Sequence, residues 1–248
     1  MLKDLTNDTY LINEEALSEL GKYHELLQKI YFLFSSVFLW GAAMGFPSVL
    51  VSWAALIPMS VILNRIRKVN LVMRATEALL EEFASDVIVV PRIPVPGMRP
   101  IDLFVRFPGR ALFLISIRSK GKTKIVFSEK HSLLCARLTR KNGGLSKWKP
   151  DPLAELSSYQ RWLKKNRREL GLSSKESSRP TAKVLALSGE TEIESHKEHF
   201  YSETGNEKFL WIKTKGTAAL IRKEEIVKFV KAYLIQGEQK KLQQANLN

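Results

Sequence analysis

The chain has 248 residues, of which 45% are hydrophobic, so it is long enough to fold around a sizeable core. It carries 39 Lys and Arg against 25 Asp and Glu, and this net charge of +14 favours a polyanion or an anionic membrane surface as partner. Its single cysteine, Cys135, excludes an intramolecular disulfide and fits a reducing compartment.

Residues 1–29 form an acidic and polar N-terminal segment. They contain no apolar run of the kind that a cleavable signal peptide needs, so we expect no such peptide. Asn13 followed by Glu14 and Glu15 is typical of a helix start, because asparagine caps free amide groups and acids favour the positive helix end. The segment therefore predicts a short amphipathic helix over 13–28 on the cytoplasmic side.

A run of 35 residues without a charged side chain extends from residue 30 to residue 64. A straight helix of that length would span about 52 Å, whereas the hydrocarbon core of a membrane is about 30 Å thick. Gly45 and Pro47 lie near the middle and predict a turn. The run at 30–64 therefore predicts a transmembrane hairpin with two arms of roughly 17 residues, both helical because lipid cannot satisfy unpaired backbone groups.

The charges after the run predict its orientation. Arg65, Arg67 and Lys68 follow directly, and positive residues stay on the cytoplasmic side of a membrane. We therefore predict an integral membrane protein of the plasma membrane or another inner membrane, with both termini and the soluble domain in the cytoplasm. Two alternatives stay open, namely a re-entrant hairpin that enters one leaflet and a helical hairpin buried in a soluble core.

We predict one α/β domain over residues 65–237, followed by a polar tail over residues 238–248 that frays. The apolar pattern predicts, in chain order, a helix over 71–83, strands over 87–90, 101–107, 111–118, 124–128 and 133–138, a helix over 151–170, strands over 182–188 and 209–212, and a helix over 223–235. Asp151 and Pro152 mark the start of the middle helix, since proline suits the first helical turn. Helices and strands in this order predict packed layers.

The predicted β-hairpin at 101–118 brings polar residues together. If its turn centres on Gly109, Asp102 lies opposite Ser116, and alternation along the strand puts two cations on the same face. These cations are Arg118 and Lys120. The helix before the hairpin offers Glu77 to this face, and a slip of one residue in the register would break the grouping.

The stretches around this hairpin follow a characteristic order. They are residues 75–80 in the first helix, 100–105 in the strand of Asp102, Pro108, Gly109 and Arg110 in the turn, 113–118 in the next strand, then Gly121, and Trp148 with Asp151, Pro152 and Leu153 at the start of the following helix. Together they resemble the nuclease-related (NERD) branch of the PD-(D/E)xK restriction-endonuclease-like superfamily. The resemblance implies a restriction-endonuclease-like mixed sheet flanked by helices.

The resemblance also implies a Mg²⁺-dependent nuclease site. In that family two carboxylates bind the ion and a lysine helps to position and activate the attacking water, since Mg²⁺ prefers anionic oxygen ligands. Position by position, Asp102 is the first carboxylate and Glu77 is the acid of the helix, and these two would hold the metal. Ser116 stands at the second carboxylate position and Arg118 at the lysine position. Lys120, further along the same face, is the candidate to replace the lysine.

These departures predict weak metal binding. A hydroxyl is a poor substitute for an anionic ligand, and arginine does not readily give up a proton. Arg118 would also repel a dication, and we expect it to pair with Asp102 instead. Three interpretations stay open: a nuclease-like fold kept for binding nucleic acid or phosphate without cleavage, an active nuclease with a relocated acid, and a fold that only resembles a nuclease, in which Asp102 has a local structural role.

Basic residues are concentrated beside the predicted hairpin. Between residues 103 and 150 there are twelve Lys or Arg and one acid, Glu129, a density that fits phosphate contacts along a DNA or RNA backbone. The candidate nucleic-acid-binding residues are Lys122, Lys124, Arg137, Arg140, Lys141, Arg161 and Lys165. Lys122 and Lys124 share the face of Arg118 if that strand continues through Gly121. A rival interpretation is a scaffold at the membrane surface that binds anionic lipid or a protein partner.

His196 and His199 are a close pair, three residues apart. With Glu194 and Glu198 they have the composition of a partial metal site, but no third cluster of ligands supports one. The segment predicts a solvated helix or loop.

Overall fold

Helices and strands fill most of the part of the chain that the computed structural model describes, which is residues 11–43, 48–138, 144–213 and 216–245. The predicted turn at Gly45 and Pro47 lies outside these residues, as do Arg140 and Lys141. The α-helices are α1 (Asn13–Ala43), α2 (Ser48–Phe83), α3 (Pro152–Lys165), α4 (Ser174–Ser177) and α5 (Ile226–Ala245). Short 3₁₀ turns are formed by Ala84–Asp86, Glu129–His131, Glu198–Phe200 and Lys223–Glu225.

The strands form two sheets. They are β1 (Ile88–Ile93), β2 (Ile101–Phe107), β3 (Ala111–Arg118), β4 (Thr123–Ser128), β5 (Leu133–Leu138), β6 (Leu145–Lys147), β7 (Thr181–Leu187), β8 (Glu192–Ile193), β9 (Tyr201–Thr204), β10 (Glu207–Ile212) and β11 (Ala218–Arg222). The large sheet has the order β1-β2-β3-β7-β11-β10-β9, and the small sheet has the order β6-β5-β4-β8. β3, β7 and β11 run parallel to one another and the other pairs of the large sheet are antiparallel, so the chain is an α/β protein with a mixed sheet.

Two apolar cores lie on opposite faces of the large sheet. On one face α1, α2 and α5 cover residues such as Val105, Phe113 and Ile115. On the other face α3 and the small sheet cover residues such as Phe104 and Leu114. Successive side chains of β2 and β3 point to opposite faces of the sheet and so contribute to both cores. This explains why nearly every residue of these strands is buried.

The first two helices are longer than the sequence predicts. α1 runs unbroken through the predicted boundary at residue 29, and α2 runs unbroken from Ser48 into the segment 71–83. The charges at Arg65 and Arg67 do not end a helix, and no glycine or proline follows Pro58 within α2. α1 and α2 contact each other, and each continues from the apolar region into the α/β domain.

The two ends of α1 have different surroundings. Near its start, Leu20 and Leu27 are buried in the core of the domain. Further along, Phe32, Leu33 and Trp40 are each more than 60% exposed, so the described part of the chain does not cover them. Ile57 of α2 is similarly exposed. By length and composition α1 is the one helix, among the described residues, that is long and apolar enough to cross a membrane.

The predicted helix caps have mixed outcomes. Asp151 caps α3 as predicted, since its side chain accepts a hydrogen bond from the Leu153 amide. Asn13 instead has a positive φ, and its side chain bonds the backbone of Val87 and Val89, which ties the start of α1 to β1. α5 continues to Ala245, so most of the predicted polar tail is helical.

Candidate functional site

The β2–β3 hairpin has the register that the sequence predicts. Leu103 pairs with Ile115 and Phe104 with Leu114, around a turn in which Gly109 has a positive φ. Asp102, at the start of β2, therefore lies beside the end of β3. One carboxylate oxygen of Asp102, Oδ2, accepts a hydrogen bond from the Ile117 amide (2.7 Å) and a longer one from the Ser116 hydroxyl (3.4 Å).

A lysine from α2 completes the surroundings of this oxygen. The Lys68 ammonium lies 2.7 Å from Oδ2 of Asp102 and also donates to the backbone carbonyl of Ile117. The Asp102 side chain is only 3% exposed, whereas that of Lys68 is 31% exposed. The ammonium thus bridges the ends of two neighbouring strands from the helix that leads to the apolar region.

Arg118 links the same carboxylate to α3. Its guanidinium lies 3.6 Å from Oδ2 of Asp102, so the predicted pairing of these two side chains is confirmed. It also contacts the Glu155 carboxylate (3.3 Å) and donates to the Tyr159 hydroxyl (3.3 Å). Two cations and two acids, together with one phenol, therefore form a partly buried network across α2, β2, β3 and α3.

Burial and neighbouring charges shift the pKa values of the network members in different directions. Burial opposes the charge of Arg118, but Asp102, Glu155 and Tyr159 together raise its pKa above the ordinary value. Burial raises the pKa of Tyr159, so its hydroxyl stays protonated. For Lys68 burial lowers the pKa, and the attraction of Asp102 only partly offsets that effect. Burial therefore makes the charge of Lys68 costly to maintain.

Two predicted members lie elsewhere. Glu77 is on the exposed side of α2, because the buried side of this helix is formed by Val72, Thr76 and Leu79. Lys120 is exposed in the loop after β3, which ends at Arg118. The expected grouping of both with Asp102 is therefore not found, and the closer of the two cations at Asp102, Lys68, comes from α2.

These residues do not fit a magnesium site. Ser116 supplies no charge, Glu77 points away, and the ammonium of Lys68 takes the position beside Asp102 that a cation would need. No three His, Cys, Asp or Glu side chains come together to hold a metal within the described residues. The carboxylate of Asp102 already has its positive partners, so the arrangement supports a structural ion-pair network.

The five candidate nucleic-acid-binding residues within the described ranges are exposed but do not form one continuous strand face. The chain turns at Gly121, which has a positive φ, and Lys122 and Lys124 belong to the region of the small sheet. Lys124 lies opposite Arg137 on β5, and each is within 4 Å of a glutamate, Glu192 and Glu194 respectively. Arg161 and Lys165 are exposed on α3.

Sequence reasoning missed Lys68, Glu155 and Tyr159. The two α3 residues had a usable signal, because they are four positions apart on a helix whose buried side includes Leu156 and Leu163. For Lys68 the sequence indicates only the orientation of the membrane segment.

Comparisons with known proteins identify no relative of this chain. No protein-family model matches the chain, and neither a curated protein nor a solved structure matches it. The resemblance to the nuclease-related branch therefore rests on the residues of the β2–β3 hairpin and its neighbouring helices.

Proposed function

We propose that the chain is a membrane-anchored protein with a nuclease-like fold that binds phosphate-bearing polyanions, DNA or RNA in the first instance, without cleaving them. The restriction-endonuclease-like character of the domain is part of this proposal. It is supported by the order of its elements, in which a helix, the strand of Asp102, a tight turn, the strand of Ser116 and a further helix follow as the resemblance implies.

The observation that carries the loss of cleavage is the Lys68 ammonium 2.7 Å from Asp102. A dication at this carboxylate would meet two fixed positive charges, Lys68 and Arg118. At about 4 Å and an effective dielectric constant of 20, each unit charge pair contributes about 4 kcal/mol of repulsion. Asp102 alone cannot offset both repulsions, and Glu155 is already paired with Arg118.

The anchor in this proposal is a transmembrane hairpin formed by the apolar parts of α1 and α2. The exposed aromatic and aliphatic side chains of α1 and the contact between the two helices support it. Arg65 and Arg67 are exposed where α2 leaves the apolar region, which supports cytoplasmic ends by the positive-inside rule.

A nuclease assay on the full chain in nonionic detergent tests the first part. We expect no cleavage of plasmid DNA or single-stranded RNA with Mg²⁺ or Mn²⁺. A variant that combines Lys68→Ala, Ser116→Glu and Arg118→Lys restores the acidic and lysine positions, and gain of cleavage by it would support the nuclease-like origin. Metal-dependent cleavage by the wild type that Asp102→Ala abolishes would contradict the proposal and point to a relocated acid, with Glu77→Ala as the next variant.

Salt-dependent binding of a labelled DNA duplex or RNA strand tests the second part. The variant changes Lys122, Lys124, Arg140 and Lys141 together to Ala, and a control variant removes four exposed lysines that pair with glutamates elsewhere. These are Lys197, Lys208, Lys228 and Lys231. We expect the first variant to flatten the logarithmic salt slope by up to about 3.6, while the control keeps the slope of the wild type. Equal slopes for both variants would remove nucleic acid as the partner.

A further inference from the structure

A groove lies between α1 and the segment that joins β1 to β2. Its volume is about 650 Å³, and its apolar lining includes Leu20, Tyr23 and Leu26 from one wall and Val95, Met98 and Pro100 from the other. A glutamate and a lysine of α1, Glu19 and Lys22, form an ion pair (2.7 Å) at its rim. The lining suits an apolar chain better than a free polar solute.

Arg92 places a positive charge in this groove. It interrupts the pairing of β1, since Pro91 pairs with Leu103 and Ile93 with Ile101, and its φ of 53° is unusual for a side-chain-bearing residue. The bulge directs its guanidinium over the ring of Tyr23, 5.0 Å from the ring centre. The side chain is partly buried, and no carboxylate of the described residues lies within ion-pair distance of it.

Among the described residues, the neighbouring charges supply no counterion to Arg92. In the adjacent network Lys68 and Arg118 are matched by Asp102 and Glu155. Arg92 is close enough that its charge, after burial and the nearer groups, contributes to the lowered pKa of Lys68. A partly buried guanidinium beside another cation is stabilised by an anion, and the groove has room for one.

The groove continues into the apolar face of α1. At 100° per residue, Tyr23 and Leu26 share one side of the helix with Leu33, Val37 and Trp40. The last three are exposed by 63%, 39% and 61%. Leu33 lies only about 10 Å along the helix from Leu26, so a single elongated molecule can contact both the groove and this stripe.

We propose that the groove binds an anionic phospholipid of the membrane in which α1 and α2 are anchored, with the phosphate at Arg92 and an acyl chain along the apolar wall of α1. The inference rests on the membrane anchoring in the proposed function. It goes beyond that function because the ligand is a single lipid at a defined site, bound through Arg92 instead of through the exposed lysines.

Binding of dioctanoyl phosphatidylglycerol to the full chain in dodecyl maltoside tests this site. We expect native mass spectrometry to detect one bound lipid and the midpoint of thermal unfolding to rise with its concentration. Arg92→Gln should weaken binding about tenfold, as for the loss of a charge-assisted hydrogen bond, and Arg92→Lys should restore part of it. Arg67→Gln removes the same charge from an exposed position of α2 and should leave binding unchanged.

Two further ligands and one further variant make the test decisive. Dioctanoyl phosphatidylcholine should bind more weakly than the phosphatidylglycerol, and glycerol phosphate alone should give no shift. If Arg92→Gln does not fold, Met98→Glu, which puts a carboxylate into the groove, should abolish lipid binding. Equal binding of both lipids by wild type and Arg92→Gln, or an equal shift from glycerol phosphate, would overturn the proposal. Carbonate extraction tests anchoring separately, so a chain that stays in membranes but binds no lipid in micelles fails only this inference.

Discussion

Lys68 occupies the position beside Asp102 that a bound metal ion would need. A lysine ammonium carries one charge on a flexible stem and needs no dehydrated metal, so it neutralises Asp102 as part of the fold itself. The two strand ends are then tied to α2 by Lys68, and to α3 by Arg118. The residues that resemble a catalytic motif therefore connect the helices α2 and α3 to the ends of β2 and β3.

Removal of the Lys68 charge should therefore lower stability. Lys68→Met keeps the stem of the side chain but leaves the buried Asp102 carboxylate with Arg118 alone, and we expect a loss of about 2 kcal/mol in the free energy of unfolding. Arg67→Met, one position away on the exposed side of α2, should change it by less than about 0.5 kcal/mol. Urea unfolding of the full chain in detergent, followed by tryptophan fluorescence, measures both. Equal stability of the two variants would contradict a structural role for Lys68.

His196 gives the fold a dependence on pH. Its Nε2 accepts a hydrogen bond from the Phe127 amide (2.8 Å), and its Nδ1 donates to the Glu194 carbonyl (2.6 Å), so the ring must be neutral. Burial lowers the pKa of His196. This side chain joins β4 to the segment after β8. The predicted loop is found, but His196 is half-buried in it instead of fully solvated.

The sign of this effect follows from proton linkage. Because the pKa of His196 is lower in the folded state than in the unfolded state, stability is complete above the ordinary value near 6.5 and falls as the pH drops below it. Protonation removes the acceptor of the Phe127 amide, a loss of about 1 kcal/mol or more. We expect unfolding midpoints to fall between pH 7.5 and 5 for the wild type and for His131→Gln, an exposed control, and to fall less for His196→Gln. A profile for His196→Gln as steep as that of the wild type would contradict this role.

The sequence predicts one part of the site well and another part poorly, for geometric reasons. Asp102, Ser116 and Arg118 are linked by a hairpin with a tight turn, so alternation alone brings them together. Glu77 and Lys68 depend on the rotational phase of α2, and this phase is set by the burial of Thr76, a polar residue that hydrogen-bonds within its own helix. Lys68 lies on the buried side that Val72 and Thr76 define, whereas Glu77 is one residue past it.

At the scale of elements, the β9–β10 hairpin illustrates a contact that periodicity does not predict. Its turn contains Gly205, which has a φ of 60° and lies against the backbone of α5. A Cβ atom at this position would be 2.6 Å from the carbonyl oxygen of Ala232. The close approach brings the edge of the large sheet onto the last helix.

Gly205→Ala should therefore lower the free energy of unfolding by more than backbone strain alone would. A positive φ costs an alanine about 1 kcal/mol, and the clash with the α5 backbone adds about 1–3 kcal/mol. Gly121→Ala is the matched control, because Gly121 has a φ of 69° and open space around its missing Cβ. Urea unfolding should show Gly205→Ala to be the less stable variant by at least about 1 kcal/mol. Similar losses in the two variants would show that α5 moves freely away from the hairpin.

At the scale of the whole molecule, α2 fixes which end of the sheet lies nearest the apolar helices. Lys68 is only four residues, or about 6 Å of helix, beyond the last residue of the uncharged run, and it contacts the start of β2 and the end of β3. The loop with Lys120 and Lys122 follows directly. In the proposed orientation this end of the large sheet is therefore the one nearer the membrane.

The exposed apolar side chains of α1 and α2 form the proposed lipid-facing surface of the anchor. If the exposed stripes of α1 and α2 face lipid, the double change Leu33→Arg and Ile57→Arg should move the protein from the membrane pellet into the soluble or aggregated fraction after carbonate extraction. Each arginine at the centre of a span costs about 3 kcal/mol of insertion free energy. The control is Leu138→Arg with Leu242→Arg, which alters two leucines outside the apolar run that are exposed by 55% and 66%.

The control double variant should stay in the pellet, because its two leucines are exposed outside the proposed membrane segment and contact water whether or not the protein is anchored. A cysteine introduced at residue 3 or at residue 240, each in a Cys135→Ser background, should not react with an impermeant maleimide that is added from outside. Both should react once the membrane is permeabilised and the reagent reaches the cytoplasmic side. Extraction of the wild type by carbonate, or labelling of the two positions from opposite sides, would contradict the hairpin, since a paired α1 and α2 must return the chain to the side from which it entered. Loss of the control variant from the pellet would assign the effect to added charge and not to lipid contact.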